Sequence, residues 1–234
     1  MRIYVLRHCE SAAMRWRMNN PDAEVVPAEL LPDSAVPLSQ LGDEQGEALA
    51  LFFASLPESE RPTYGFSSPF KRTTQTGAFA LSKLPTKIEL VLDERLREID
   101  FGIFVDLTKK GRAAKFPTQW QERRTVGKVH YRPEGGENWH DVAARFLDFQ
   151  KERIDVLPPS AVVLISTHET VVSVGQWQWA GEDLEQLGKE GVPSASINTY
   201  DFDGKTFKLV SRQQLPPSPS GKDLFSMESK AKDI

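Results

Sequence analysis

Ala161-Val162-Val163-Leu164-Ile165-Ser166-Thr167-His168-Glu169 opens with five aliphatic residues in a row. A strand with one wet face alternates apolar and polar side chains. A continuous aliphatic run without that alternation fits a central strand buried on both faces, as in a parallel sheet. The run stops at Ser166-Thr167, and a helix is expected from Glu169 to about Trp179. A helix is also expected before the strand, from Glu137 to Leu157, with Val142, Phe146, Phe149 and Ile154 on its inner face.

The rest of the chain repeats this alternation. Ile3 to Leu6 reads as a short buried strand ending at Arg7-His8, and Tyr64-Gly65-Phe66 as another. Ser67-Ser68-Pro69 then turns into a helix from about Phe70 to Leu81, and Ile88 to Leu92 makes a third strand. Ser39 has the character of an N-cap for a helix carrying Leu41, Gln45, Ala48, Leu49 and Phe52, stopped by Pro57. Ser196–Phe202 and Thr206–Ser211 around Asp203-Gly204 read as a hairpin. Cys9 to Val36, with Asn19-Asn20-Pro21 and further prolines, reads as mostly loop. Residues 100–136 break the pattern and read as an insertion or lid. From Pro216 the composition is that of a disordered tail. The expectation is one domain over residues 1–215: an α/β, three-layer α/β/α sandwich with a mainly parallel central sheet. Sites on such sheets lie beyond the carboxyl ends of the strands. His8, Ser67 and His168 each follow a strand there.

Composition narrows the function classes. Of 234 residues 39% are hydrophobic and 26% charged, and the formal charge is −4. That balance gives no global reason to expect nucleic acid or a membrane surface. The single cysteine, Cys9, cannot close an internal disulfide, and no apolar run approaches a membrane span or a signal peptide. A cytoplasmic protein is expected.

Leu6-Arg7-His8-Cys9-Glu10-Ser11 resembles the Leu-Arg-His-Gly-Glu-Ser/Thr signature of the histidine phosphatase superfamily, whose fold includes phosphoglycerate mutase. Pro37-Leu38-Ser39-Gln40-Leu41-Gly42 with Gln45 is similar to that family's next block, and Ser67-Ser68-Pro69-Phe70-Lys71-Arg72-Thr73-Thr74-Gln75-Thr76 to the one after. Leu96-Arg97-Glu98 with Gly102 and then Ser166-Thr167-His168 complete five blocks in the family's order. The resemblance implies a small phosphorylated substrate with no metal and no cofactor, His8 as nucleophile, Arg7, Arg72 and His168 around the phosphate, Glu98 as acid, and Ser11 touching the substrate. The chemistry is consistent with those residue types. Guanidinium forks and imidazole donors can hold a phosphoryl dianion without metal, and neighbouring positive charge keeps the attacking imidazole neutral.

The sequence also departs from that pattern. Cys9 stands where the family usually has glycine, and Glu169 where another glycine often follows the second histidine. Since one branch of the superfamily places its acid directly after that histidine, Glu169 rivals Glu98 as proton donor; an anion at a helix N-terminus is its simpler role. Met14 replaces an asparagine of the mutases, and Phe104-Val105-Asp106 their Trp-Glu-Gly. His8-Cys9 with Arg15 also matches His-Cys-x5-Arg, the thiolate loop of cysteine phosphatases. Glu10 to Met14 lacks glycine for that cradle, and that reading leaves Arg72, Glu98 and His168 without a role. Hydrolysis of phosphate monoesters is the leading expectation. Mutase-type transfer and a weakly catalytic phosphate-binding regulatory module are the alternatives.

One segment is unusually basic: Lys109, Lys110, Arg112, Lys115, Arg123, Arg124, Lys128 and Arg132 face the single acid Glu122. It is expected to overhang the pocket and select anionic substrates, with Trp120 and Tyr131 adding apolar contact. Tyr131-Arg132-Pro133-Glu134-Gly135-Gly136 is similar to a stretch of some family members, and its glycines are expected to turn the chain into the helix at Glu137.

Overall fold

The computed structural model describes residues 1–216. The tail read as disordered lies, apart from Pro216, outside the described residues. In chain order the elements are β1 (Arg2–Arg7), α1 (Ala12–Asn19), α2 (Gln40–Ser55), β2 (Tyr64–Ser67), α3 (Lys71–Leu81) and β3 (Leu90–Leu92). There follow α4 (Lys109–Lys115), α5 (Pro117–Val126), α6 (Trp139–Phe149), β4 (Val162–Thr167), α7 (Glu169–Ala180), α8 (Leu184–Glu190), β5 (Ser196–Phe202) and β6 (Phe207–Gln214). The six strands form one sheet in the order β3-β2-β4-β1-β5-β6. The first four positions are parallel, and the β5–β6 hairpin adds antiparallel to β1.

The aliphatic run of β4 is central, as its composition demands. Side chains alternate across a strand, and the two faces feed two separate cores. Ile3, Val5, Val163 and Ile165 point to one side, where α6 and α7 supply Trp139, Val142, Phe146, Phe149, Val171, Val172 and Trp179. Tyr4, Leu6, Val162 and Leu164 point to the other, against Leu49 and Phe53 of α2 and Ala80 and Leu81 of α3. The result is a three-layer α/β/α arrangement. No helix among the described residues is long and apolar enough to cross a membrane.

Several boundaries differ from the sequence expectation. The segment 9–36, expected to be loop, contains α1. Its Ala-rich start carries no proline; Ser11 caps it by accepting from Met14 N (3.2 Å), and it runs until Asn20, just before Pro21. The proline signal therefore ends this helix and does not extend back over it. Only Leu90–Leu92 of the expected strand 88–92 pairs with β2. The helix expected at Glu137 starts instead at Trp139, because Asn138 and Asp141 form a reciprocal capping box and fix the start two residues later. It then passes into a single π-helical turn, Gln150–Ile154, with Ile154 buried as expected. Helices α4 and α5 lie within the insertion. It is laced to the 21–36 segment by Val26 N to Asp106 O (2.9 Å), Thr108 N to Glu24 O (3.0 Å) and a Val25–Leu107 bridge.

The loop after β1 is tied to the start of α2 by one buried acid. Glu10 Oε1 accepts from Ser39 Oγ (2.6 Å) and Arg15 Nε (2.9 Å), Glu10 O accepts from Ser39 N (2.9 Å), and Glu10 N donates to Gln45 Oε1 (2.8 Å). Helix α2 comes so close that a Cβ on Gly42 would lie 2.1 Å from Glu10 O. Gly42→Ala is therefore expected to lower the unfolding free energy by about 1–3 kcal/mol, as overpacking does, read by urea titration at pH 7. An unchanged midpoint and slope would show that this contact is not a constraint.

Candidate active site

The register of the sheet sets the first two groups side by side. Arg7 pairs with Thr167 and Ser67 with Ser166, so three parallel strands end level. His8 N extends the ladder to Thr167 O (2.9 Å), and Ser68 N extends it to Ser166 O (3.0 Å). His8, Ser68 and His168 thus emerge on one rim. Both histidines are buried, and their ring centroids are 5.2 Å apart at 68°.

The tautomer of His8 follows from its partners. Nδ1 lies 2.7 Å from the carbonyl oxygen of Cys9, which can only accept, so Nδ1 carries the hydrogen. The lone pair is then on Nε2, which faces Arg72 Nε at 3.3 Å. Burial, and then the charges of Arg72 and Arg7, hold the His8 pKa well below the usual imidazole range. His8 is a neutral imidazole with its lone pair directed into a cationic pocket. That is what a nucleophile toward phosphorus requires.

Arg72, on the first turn of α3, is oriented by Asp33. Its Nη1 donates to Asp33 O (2.7 Å) and its Nη2 to Asp33 Oδ2 (2.9 Å), and its guanidinium lies 4.9 Å from the Phe70 ring centroid. Both terminal nitrogens are engaged, and Nε is left toward His8. On the other side Arg7 donates from Nη1 to Val192 O and pairs through Nη2 with Glu169 Oε2 (3.3 Å). His168 Nε2 meets Ser68 Oγ at 2.9 Å, and the ring also stands edge-on to Phe70 at 5.1 Å. Burial first, and then Arg72, keeps His168 well below the ordinary range as well. His168 Nδ1 and Arg7 Nε are buried with no hydrogen-bond partner among the described residues. Buried polar atoms are normally matched.

The two acids proposed as proton donors differ in their surroundings. Glu169 is ion-paired to Arg7 and, at 3.1 Å, to Lys128. Glu98 accepts from Ile99 N (2.9 Å). Its pKa is raised, first by burial and further by the Glu169 charge. Both acids line a cavity of about 220 Å3 together with Thr170, Arg112, Arg123 and Lys128. A carboxyl kept protonated to higher pH beside the pocket suits an acid; a carboxylate held by two cations suits a structural anion.

Cys9 and Ser11 are turned to other tasks. The Cys9 thiol is buried in the core under α2 and α3, and burial pushes its pKa up to about 12. Arg15, the arginine of the competing thiolate motif, is bound to Glu10. A protonated thiol buried in the core, with the motif's arginine held by Glu10, does not form a phosphate cradle, and that motif is set aside. Ser11 Oγ caps α1, and its backbone bridges to Leu38. His168 stands at the N-cap position of α7, yet its side chain makes no capping bond. Sequence reading missed two contributors. Ser68 sits inside a quoted block directly after a strand, a signal that was available. Asp33 lies in a proline-rich stretch that carries no such signal. Among the described residues, no group of three or more His, Cys, Asp or Glu is placed to hold a metal ion.

Residues 3–214 match the family model described as histidine phosphatase superfamily (branch 1). No curated protein matches the chain by sequence. Among solved structures, "Mycobacterial hydrolase 1" superposes with a TM-score of 0.72 at 21% identity, covering 92% of this chain and 99% of that one. Mycobacterial glucosyl-3-phosphoglycerate phosphatase gives a TM-score of 0.68 at 22% identity, covering 89% and 96%. A putative α-ribazole-5'-P phosphatase from Escherichia coli gives 0.70 at 18% identity, covering 95% and 99%.

The buried neutral histidines also predict a pH dependence of stability. Their folded pKa values lie below the unfolded value of about 6.5. The stability they contribute is therefore complete above that value and is lost as pH falls through the folded pKa values. Unfolding free energy is expected to drop from pH 7 to pH 5, with a shallower slope in His8→Asn. Equal slopes in both proteins would contradict the neutral burial of His8.

Proposed function

Because this chain belongs to the histidine phosphatase superfamily, branch 1, we propose that it is a metal-independent phosphatase that hydrolyses phosphate monoesters through a phosphohistidine on His8. The observation that carries this reading is the fixed tautomer of His8, with Nδ1 on the Cys9 carbonyl and the Nε2 lone pair facing Arg72. Two of the structural neighbours are described as phosphatases, one of glucosyl-3-phosphoglycerate and one of α-ribazole-5'-P. Their common fold supports the reading without naming this chain's substrate.

The substrate dianion enters between Arg7, Arg72 and His168, and the Arg72 Nε–H shifts from His8 to a phosphoryl oxygen. His8 Nε2 attacks phosphorus in line with the ester oxygen. The N–P bond forms, the P–O bond to the alcohol breaks, and the departing oxygen takes a proton from Glu98. In the second half the Glu98 carboxylate removes a proton from water, whose oxygen attacks phosphorus. The N–P bond breaks, inorganic phosphate leaves, and both residues return to their starting forms. As pH rises through the raised Glu98 pKa the acid form disappears, so turnover of alkyl esters falls on the alkaline side.

Two measurements test this. His8→Ala is expected to lose at least about 10³-fold in kcat, the scale on which removal of a nucleophile acts, and to form no acid-labile phosphoenzyme on rapid quench. Persistent turnover in that variant would end the assignment. Glu98→Gln is expected to lose about 10²-fold or more on an alkyl phosphate and much less on p-nitrophenyl phosphate, whose anion departs without a proton. A corresponding loss confined to Glu169→Gln would transfer the acid role. Isomerisation of phosphoglycerate faster than its hydrolysis would make the chain a mutase, and phosphate binding without turnover a binding module.

A further inference from the structure

The cationic pocket around His8 contains an anion of its own. The Asp33 carboxylate takes the Arg72 Nη2 donor at 2.9 Å, and the Asp33 backbone oxygen takes Nη1 at 2.7 Å. The remaining nitrogen, Nε, stands 3.3 Å from His8 Nε2. The Arg72 side chain is only 6% exposed, against 31% for Asp33, so water has little access with which to replace this partner. Asp33 is itself held in place. It opens a single 3-10 turn, Asp33–Ala35, directly after Pro32. Beyond that turn Ala12 N donates to Pro37 O (2.9 Å) and Leu38 N to Gln75 Oε1 (3.0 Å). Gln75 lies one turn after Arg72 on α3, so α3 grips the 33–38 segment at two points. Before the turn, Val26 N is bound to Asp106 O of the insertion.

This contact works against affinity for a dianion in two ways. A guanidinium binds an oxyanion most strongly with two parallel N–H donors, and here both terminal nitrogens already have an acceptor. A carboxylate at the pocket also repels an incoming phosphate. Its charge is felt beyond Arg72: burial lowers the Arg17 pKa, Asp33 counters that, and Arg72 adds to it. One carboxylate thus acts on two guanidiniums at the rim. What the contact supplies is direction. With its plane fixed by Asp33 and its face on the Phe70 ring at 4.9 Å, the Arg72 guanidinium cannot swing its terminal edge toward the pocket. An interaction that gives up ground-state binding for alignment raises kcat and leaves affinity lower.

We propose that Asp33 is a positioning residue for phosphoryl transfer: by holding both terminal nitrogens of Arg72 it keeps the Nε–H beside the His8 lone pair, so that a phosphoryl oxygen is captured in the geometry of attack, and it loosens the hold on the dianion. This rests on the phosphatase reading above. Asp33 acts through Arg72 and makes no contact with the substrate. Its effect falls on attack by His8 and not on protonation of the leaving oxygen, which separates it from Glu98.

The test uses Asp33→Ala and Asp33→Asn in the full chain at pH 7. Turnover is read on glycerol 3-phosphate and p-nitrophenyl phosphate, and binding by titration calorimetry with inorganic phosphate. In Asp33→Ala, kcat and the rate of phosphoenzyme formation on rapid quench are expected to fall about tenfold or more, alike on both esters. Phosphate is expected to bind at least about threefold more tightly. Asp33→Asn loses the same charge but keeps an acceptor oxygen for Nη2, so it should tighten phosphate to a similar degree and recover most of kcat. A lower kcat with weaker phosphate binding in Asp33→Ala would make the residue a support for its loop alone. An unchanged or higher kcat with tighter phosphate would make it a competitor for the dianion, and equal kcat losses in the two variants would assign the effect to charge. Each of these three results overturns the positioning role while leaving the phosphatase reading intact. A wild-type chain that binds phosphate but hydrolyses neither ester ends the phosphatase reading, and this role with it.

Discussion

Two uncharged imidazoles share a buried pocket with two guanidiniums, and that arrangement depends on strand register. A one-residue slip between β1 and β4 would invert every side chain of the slipped strand between the two cores. Ile3 and Val5 face one core and Tyr4 and Leu6 the other, with the same split in β4, so the register is fixed by burial on both faces at once. Because Arg7 then lies opposite Thr167, the residues that follow, His8 and His168, are delivered as neighbours. The packing of the sheet and the placement of the pair are one constraint. The pocket's charge follows from it: once both rings are buried beside Arg72 and Arg7, a proton on either is strongly disfavoured.

Much of this was legible in the sequence, for definable reasons. The apolar run of β4 could only be a strand wet on neither face, and each strand that ended in a chemically distinctive residue marked the rim. Helices with a strong cap, such as α2 behind Ser39, were also readable. What escaped detection depends on contacts distant in the chain. Helix α1 is short, and the prolines after it dominated its neighbourhood. Asp33 gains its role only through Arg72, 39 residues away. Among the insertion's cations, nothing local foretells that Lys128 meets Glu169 and Arg132 meets Asp141.

The departures from the family's motif are accommodated by geometry. Cys9 replaces a glycine, but Ala195 is the one non-glycine among the described residues with a positive φ. The backbone at Cys9 therefore lies in a region open to any L-residue, and its side chain has a place in the core. Glu169 replaces another glycine and finds two cations. Its charge acts on Glu98, holding that proton to higher pH. The loop that carries Glu98 is held independently by Glu137. Burial alone would raise the Glu137 pKa, yet hydrogen bonds from Arg97 and the charge of Arg145 bring it down to about 2. Arg145 also donates to the backbone oxygen of Glu98 (3.3 Å). Glu137 thus stays ionised across the range in which Glu98 titrates, and Glu98 can lose and regain its proton without loosening its own support.

Asp33 poses the sharper question, since it offers Arg72 the same kind of partner as a phosphate. The resolution lies in which nitrogens it takes. With both Nη atoms engaged by a single residue, the guanidinium plane is fixed and Nε is directed at His8 Nε2. On the mechanism proposed above, a phosphoryl oxygen arriving there would meet one N–H donor already aligned with the His8 lone pair, in place of a mobile fork that must first be ordered. The cost is a weaker grip on the dianion from Arg72 than a free fork would give. On that reading the rest of the grip on the dianion falls to Arg7 and His168.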